Sequence, residues 1–195
     1  MRAILTYHSI DESGSAISVP PDVFSEHVRW MSRSDVRVLT LDDLLAQGSN
    51  DPTDAVAITF DDGFMNFAEA GARLTGHGLP VTLFVVTAHV GGTNAWGGRA
   101  DPGIPTLPLL GWPELEQLVA GGVAVGAHTR THTRLTALPS AAVEDEMDRC
   151  LEELRARLGV DPGMAAGARR GSVGQAAAPG AGAPDPQPLA HARAP

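Results

Sequence analysis

Ala55-Val56-Ala57-Ile58-Thr59-Phe60-Asp61-Asp62-Gly63 is the stretch on which the fold turns. Six residues, apolar apart from Thr59, run without the alternation of a half-buried strand, so the segment reads as a strand covered on both faces, the habit of parallel sheets. It ends on two adjacent carboxylates and a glycine, and the tips of parallel strands are where α/β folds place their chemistry. Neighbouring side chains in a strand point to opposite sides, so the two acids would diverge unless the chain bends near Gly63. By itself this tip fits an Asp-Gly turn with a solvated acid pair as well as it fits a site.

Outward from this segment, similar short runs recur at Ala3–Tyr7, Val36–Leu39, Val81–Val86 and Val123–Ala127. Helical patterns lie between them. Phe24, Val28 and Met31 mark a helix opened by Pro20-Pro21-Asp22, and Trp112-Pro113-Glu114 opens another with proline in its first turn. A third takes Ser140 as its cap, carries Val143, Met147, Cys150, Leu151, Leu154 and Leu158, and stops at Gly159. Strands alternating with helices predict an α/β fold, an open sheet or a (β/α) barrel. Gly91–Gly111 is a long Gly- and Pro-rich loop, and loops of that length in a compact domain are usually functional or mobile. Its Trp96 suits a sugar platform and a loop anchor equally.

A second chemical element follows the last predicted strand: Gly126-Ala127-His128-Thr129-Arg130-Thr131-His132. Imidazoles at i and i+4 can meet on one face of a helical turn and offer two neutral nitrogens to a metal. With a carboxylate they make a three-ligand set that leaves a position open for water. His8 falls at the tip of the first strand, facing the same mouth if a barrel forms; it reads as site-lining or as a buried, hydrogen-bonded imidazole. His27, His77 and His89 read as helix-surface or loop residues.

Thr-Phe-Asp-Asp-Gly at 59–63 and His-Thr-x-x-His at 128–132 resemble, in order and in separation, the first two signature motifs of the polysaccharide deacetylases, also called the NodB-homology domain or family 4 carbohydrate esterases. The opening Thr6-Tyr7-His8-Ser9-Ile10, the helix Pro21–Arg33, Leu83-Phe84-Val85 and Val125-Gly126-Ala127-His128 are similar to members of that family, so the likeness spans residues 2–160. It implies an irregular (β/α) barrel that removes acetyl groups from N-acetylated sugars. It implies Asp61 as general base, and Asp62, His128 and His132 as ligands of a divalent metal, commonly zinc. His8 and Trp96 become candidates for contact with the sugar. Thr129 and Thr131 are either donors around the ligands or helix caps.

The resemblance fades after the long helix. Family members continue with a Pro-x-Gly strand, further strands and a late histidine acting as general acid, whereas Asp161-Pro162 is followed by Gly163-Met164-Ala165-Ala166. The expected domain is therefore residues 1–162, a barrel incomplete at its C-terminal end. In residues 163–195, 22 of 33 are Gly, Ala or Pro, too little apolar surface to offset ordering entropy, so a disordered tail is expected. A natural low-complexity tail and a GC-rich gene read out of frame both give such a composition; the lost motifs favour the second. The expectation is a metal-dependent carbohydrate N-deacetylase. The alternative is a truncated, inactive remnant that binds metal or carbohydrate, and a C–N hydrolase of a non-sugar amide would use the same metal set.

Composition narrows the partners. A net charge of −9, with arginine as the sole basic residue type besides histidine, argues against nucleic acid, whose binding runs on clustered positive charge. No run approaches the ~20 apolar residues of a membrane span. No secretory leader is visible at the start, so a cytoplasmic location is expected. The lone Cys150 reads as a buried structural thiol.

Overall fold

The computed structural model describes residues 1–46 and 53–162. The tail expected to be disordered lies outside the described residues. Among the described residues, seven strands and five α-helices follow in chain order: β1 (Arg2–Tyr7), β2 (Ser9–Ile10), β3 (Ser18–Val19), α1 (Pro21–Arg33), β4 (Arg37–Val38), α2 (Leu41–Ala46), β5 (Ala55–Phe60), α3 (Phe67–Gly76), β6 (Val81–Val85), α4 (Trp112–Ala120), β7 (Ala124–Ala127) and α5 (Ser140–Leu158).

One sheet carries the site. Its order is β1-β5-β6-β7, every pairing is parallel, and β4 pairs with the first two residues of β5 below β6. All six residues of β5 are buried, as an apolar run without alternation requires. The predicted strand Val36–Leu39 shortens to Arg37–Val38, because only Ala55 and Val56 lie opposite it before the chain turns into α2. Since the strands are parallel, their C-terminal tips share one end of the sheet. That end receives His8 after β1, Asp61 and Asp62 after β5, and His128 after β7.

The two faces of the sheet bury different clusters. Tyr7, Ile58, Phe60, Leu83, Val85 and Val125 pack with α1, α3, α4 and α5 in the main core. Phe60, the residue before the acid pair, stacks on Tyr7 at 5.1 Å and meets Phe67 edge-on at 4.8 Å. Such ring pairs contribute about 0.5–1.5 kcal/mol each beyond the area they bury, so the base of the acid tip is firmly seated. On the other face Ala55, Ala57 and Phe84 meet Leu41 and Leu44 of α2. Among the described residues β1 and β7 are the outer strands of this order, and Ile4 on β1 is 47% exposed.

Two helices were not legible as such. Helix α2 is short, capped by Thr40, whose hydroxyl accepts the Asp43 N–H at 3.1 Å and donates to the Asp43 carboxylate at 2.7 Å. Helix α3 has Phe67, Ala70, Gly71 and Leu74 at helical spacing, a stripe disguised by its small residues. Helix α5 begins at its expected cap residue: Pro139 stands at the cap position, Ser140 is already helical, and no side chain caps it. Gly159 closes it at φ +64°, the left-handed conformation that favours glycine.

Candidate metal and acid-base centre

The acid pair reaches the mouth through a backbone break. The β1–β5 ladder runs one step past the strands, with the Asp61 N–H donating to the Tyr7 carbonyl at 2.9 Å. The chain then reverses: Asp62 has φ +73° and Gly63 φ +82°, and the Gly63 N–H returns to the Asp61 carbonyl at 3.0 Å. The bend expected at Gly63 therefore starts one residue earlier, on the aspartate itself. That conformation costs a non-glycine residue on the order of 1 kcal/mol or more. It turns two side chains that a strand would send to opposite faces toward the same opening.

His128 continues the β6–β7 ladder, donating its N–H to the Val85 carbonyl at 3.0 Å. The expected helical turn through 128–132 does not form. The segment is an irregular loop with Thr129 at φ +65° and His132 at φ +60°, and the Thr129 hydroxyl accepts the His132 N–H at 3.0 Å. The imidazoles meet through this twisted loop, with ring centroids 5.3 Å apart. Positive φ is a true outlier for a β-branched residue such as Thr129, so neighbouring structure must hold the loop in place.

Asp62, His128 and His132 come together. Oδ1 of Asp62 lies 3.3 Å from Nε2 of His128 and 3.2 Å from Nε2 of His132, and one ligand atom from each residue lies within 4.8 Å of the others. Asp62 is buried, and its Oδ1 makes no well-aligned hydrogen bond to the two nitrogens beside it. A buried carboxylate oxygen whose hydrogen bonds are poorly aligned is costly, whereas a cation in the gap would satisfy it. Tetrahedral bonds of 2.0–2.2 Å set ligand atoms about 3.3–3.6 Å apart, so two of the three separations are close to those of a zinc-like ion. Burial pushes the Asp62 carboxyl up, but the two imidazoles outweigh it and hold the group well below the usual carboxylate range.

Asp61 stands next to this set with a different character. Burial pushes its carboxyl up, against the pull of His128 and His8, and Asp62 adds to the rise. Two adjacent acids pushed in opposite directions is how a site separates a ligand from a base. Nε2 of His8 lies 3.9 Å from Oδ2 of Asp61, which places His8 at this mouth. Burial would lower His128, yet the neighbouring carboxylates raise it overall.

The long loop expected at Gly91–Gly111 is tied down. Leu110 and Met65 donate backbone N–H groups to Gly63 and Pro108, both at 2.9 Å, and the buried Asn94 bonds the Pro105 carbonyl and the Leu107 N–H. This delivers Trp96 onto His132, ring centroids 4.3 Å apart at 33°, with His89 edge-on to Trp96 at 5.0 Å. His89, given no role from sequence, thus joins the site's wall. Glu146 was also missed. From α5 it bonds the backbone of the His128–His132 loop. Its trace in the sequence is an acid three residues after Val143 and four before Cys150, inside the apolar stripe.

Comparisons with known proteins agree with this picture. A family model described as polysaccharide deacetylase matches residues 48–177. No curated protein matches the chain. Among solved structures it is similar to IcaB from Ammonifex degensii, at 23% identity and TM-score 0.67 over 83% of this chain and 71% of that one. It is similar to the Streptococcus pyogenes deacetylase PplD in complex with acetate, at 20% identity and TM-score 0.65 over 82% and 70%. BC0361, a polysaccharide deacetylase from Bacillus cereus, is 22% identical, with TM-score 0.63 over 83% and 48%. At these identities the structural likenesses speak for the fold.

Proposed function

This chain belongs to the polysaccharide deacetylase family, hydrolases of N-acetyl C–N bonds, and from that premise we propose that residues 1–162 form a metal-dependent domain that removes acetyl groups from an N-acetylated sugar or glycan. Asp62, His128 and His132 are the proposed ligands of a divalent metal, with zinc favoured by two imidazoles and a carboxylate. The observation that carries the reading is the buried Oδ1 of Asp62 set between two imidazole nitrogens at 3.2 and 3.3 Å.

A divalent metal in that position supplies Lewis-acid polarisation of a carbonyl and makes nearby water a stronger acid. The chain's own groups do the rest. Asp61, its carboxyl raised by burial, takes the proton from the attacking water. His8, whose Nε2 lies 3.9 Å from Oδ2 of Asp61, lines the same mouth and is the proposed contact for the sugar there. Trp96 and His89 wall the site on the His132 side. The described helices include none long and apolar enough to cross a membrane.

The test is acetate release from chito-oligosaccharides by zinc-loaded, metal-free and Asp61→Asn protein. Release that requires zinc and collapses in the variant supports the reading. Zinc binding without release, from every N-acetylated glycan offered, would favour a non-catalytic binding domain instead.

A further inference from the structure

We propose that Glu146 is the positioning residue of the His128–His132 loop: from α5 it holds the two imidazoles where a single cation can reach both, an inference that rests on the ligand assignment above. Both of its carboxylate oxygens are committed to the loop. Oε2 accepts the consecutive backbone N–H groups of Arg130 and Thr131 at 3.0 and 2.8 Å, and Oε1 accepts the Thr131 hydroxyl at 2.9 Å. Adjacent N–H groups converging on one oxygen form a concavity suited to an anion, here filled by a side chain.

The position on the helix is otherwise unexplained. Met147, Cys150 and Leu154 are the buried residues of α5, and Glu146 and Glu153 lie at i+3 and i+4 spacings among them. Acids are seldom placed beside such a stripe unless paired. Both acids face the same loop, since Glu153 accepts Arg130 Nε at 2.9 Å. The Arg130 carbonyl in turn accepts the Ala88 N–H at 2.9 Å, so the loop is gripped on two sides. Its ends are the two proposed ligands, and its path includes Thr129 and His132 at positive φ, a shape the chain would leave without such a grip. Groups that orient metal ligands from behind typically change metal affinity 10- to 100-fold when removed.

The experiment uses the full chain as wild type, Glu146→Ala, Glu146→Gln and Met147→Ala. Each is titrated with zinc against a chromophoric chelator, and thermal unfolding of the zinc-free protein is followed in parallel. Glu146→Ala is expected to bind zinc about 10- to 100-fold more weakly. Glu146→Gln should stay close to wild type, because its carbonyl oxygen can take both N–H groups while its amide donates to the Thr131 hydroxyl. Met147→Ala, a cavity in the same helix, should lower the melting temperature yet keep wild-type zinc affinity. Wild-type affinity in Glu146→Ala overturns the inference alone. Equal losses in Met147→Ala or in Glu146→Gln also overturn it, since general loosening or charge would then be the cause. A wild-type chain that binds no zinc overturns the ligand assignment and this inference with it.

Discussion

Nε2 of His132 lies 3.2 Å from Oδ1 of Asp62, although the strands that carry them are not neighbours: β6 runs between β5 and β7. Adjacent strands are about 4.8 Å apart, so the two strand axes stand roughly 10 Å from each other. The gap is closed by backbone, with Asp62 and His132 themselves both at positive φ. Two residues that accept an unfavourable conformation in order to face one another mark the point where the sheet's geometry serves chemistry.

The three proposed ligands should be individually necessary for tight metal binding. His128→Ala and His132→Ala are each expected to fall from one bound zinc per chain to nearly none after dialysis, because a three-ligand site seldom holds metal with two. Metal analysis by plasma emission reads this directly, and wild-type stoichiometry in either variant would show the ligands to be elsewhere. Treatment of the wild type with a chelator should remove activity, and added zinc should restore it.

Asp61→Asn separates base from ligand. The variant should keep its zinc, since Asp61 is not among the three converging groups. Its kcat should fall by about 10²–10⁴, the usual worth of a positioned base. Activity near the wild-type value would move the base to another group.

Gly126 tests the support behind His128. A Cβ at this position would sit 2.5 Å from Cε1 of Phe84, a ring that is itself buried and lies 6.5 Å from the His128 ring. Gly126→Ala should therefore destabilise by about 1–3 kcal/mol through overpacking. The urea midpoint is the measurement. Adding Phe84→Leu should recover part of the loss, and if the double variant is no better than the single one the clash is not the cause.

Asp11 links pH to the loop joining the parallel pair β2 and β3 after His8. Its carboxylate accepts from the Ser9 hydroxyl, from the Ser13 N–H at 2.7 Å and from the Ser18 hydroxyl at 3.0 Å. Burial pushes this carboxyl up, but the serine donors outweigh it and leave it below its ordinary value. A lowered pKa means stability that is fully present above the unfolded carboxylate pKa of about 3.9 and lost as pH falls through the lower folded value. Wild type should thus exceed Asp11→Asn in urea midpoint at pH 6–7, with the gap starting to narrow below about pH 4. A gap that does not narrow at all as pH falls from 5 to 2 would mean the donors do not depend on the charge.

Much of this was legible in the sequence because it rests on local periodicity and residue type. The apolar run Ala55–Phe60 specified a strand buried on both faces, and the parallel pairing then brought the tips of β5 and β7 to one end. Those two facts suffice to gather Asp61, Asp62 and His128. The way His132 joins them was not legible, since i+4 spacing suggests a helical turn and nothing local to Thr129 signals positive φ. That conformation is imposed from outside the loop, by groups on α5. The contact of Trp96 with His132 depends likewise on a loop held by Asn94 and by backbone bonds to Gly63. Sequence left Trp96 balanced between sugar platform and anchor because both demand the same ring.

We propose that Trp96 also orients His132, and this role differs measurably from that of a sugar platform. One face of the Trp96 indole lies on His132 at 4.3 Å, and His89 meets it edge-on, so the ring limits how His132 can turn. An imidazole that ligates through one nitrogen loses affinity when its ring is free to swing, by about 10-fold or more for other orienting contacts. Trp96→Ala should therefore weaken zinc binding by about that factor in the absence of any sugar, and Trp96→Phe should restore most of it, since a phenyl ring can still pack on the imidazole. A pure sugar platform would behave differently. It would leave zinc affinity untouched in Trp96→Ala and raise only KM for chito-oligosaccharides. Chelator competition on the sugar-free protein, followed by kcat and KM at saturating zinc, distinguishes the two. Unchanged zinc affinity in Trp96→Ala together with a raised KM would show that this ring serves the glycan rather than the metal.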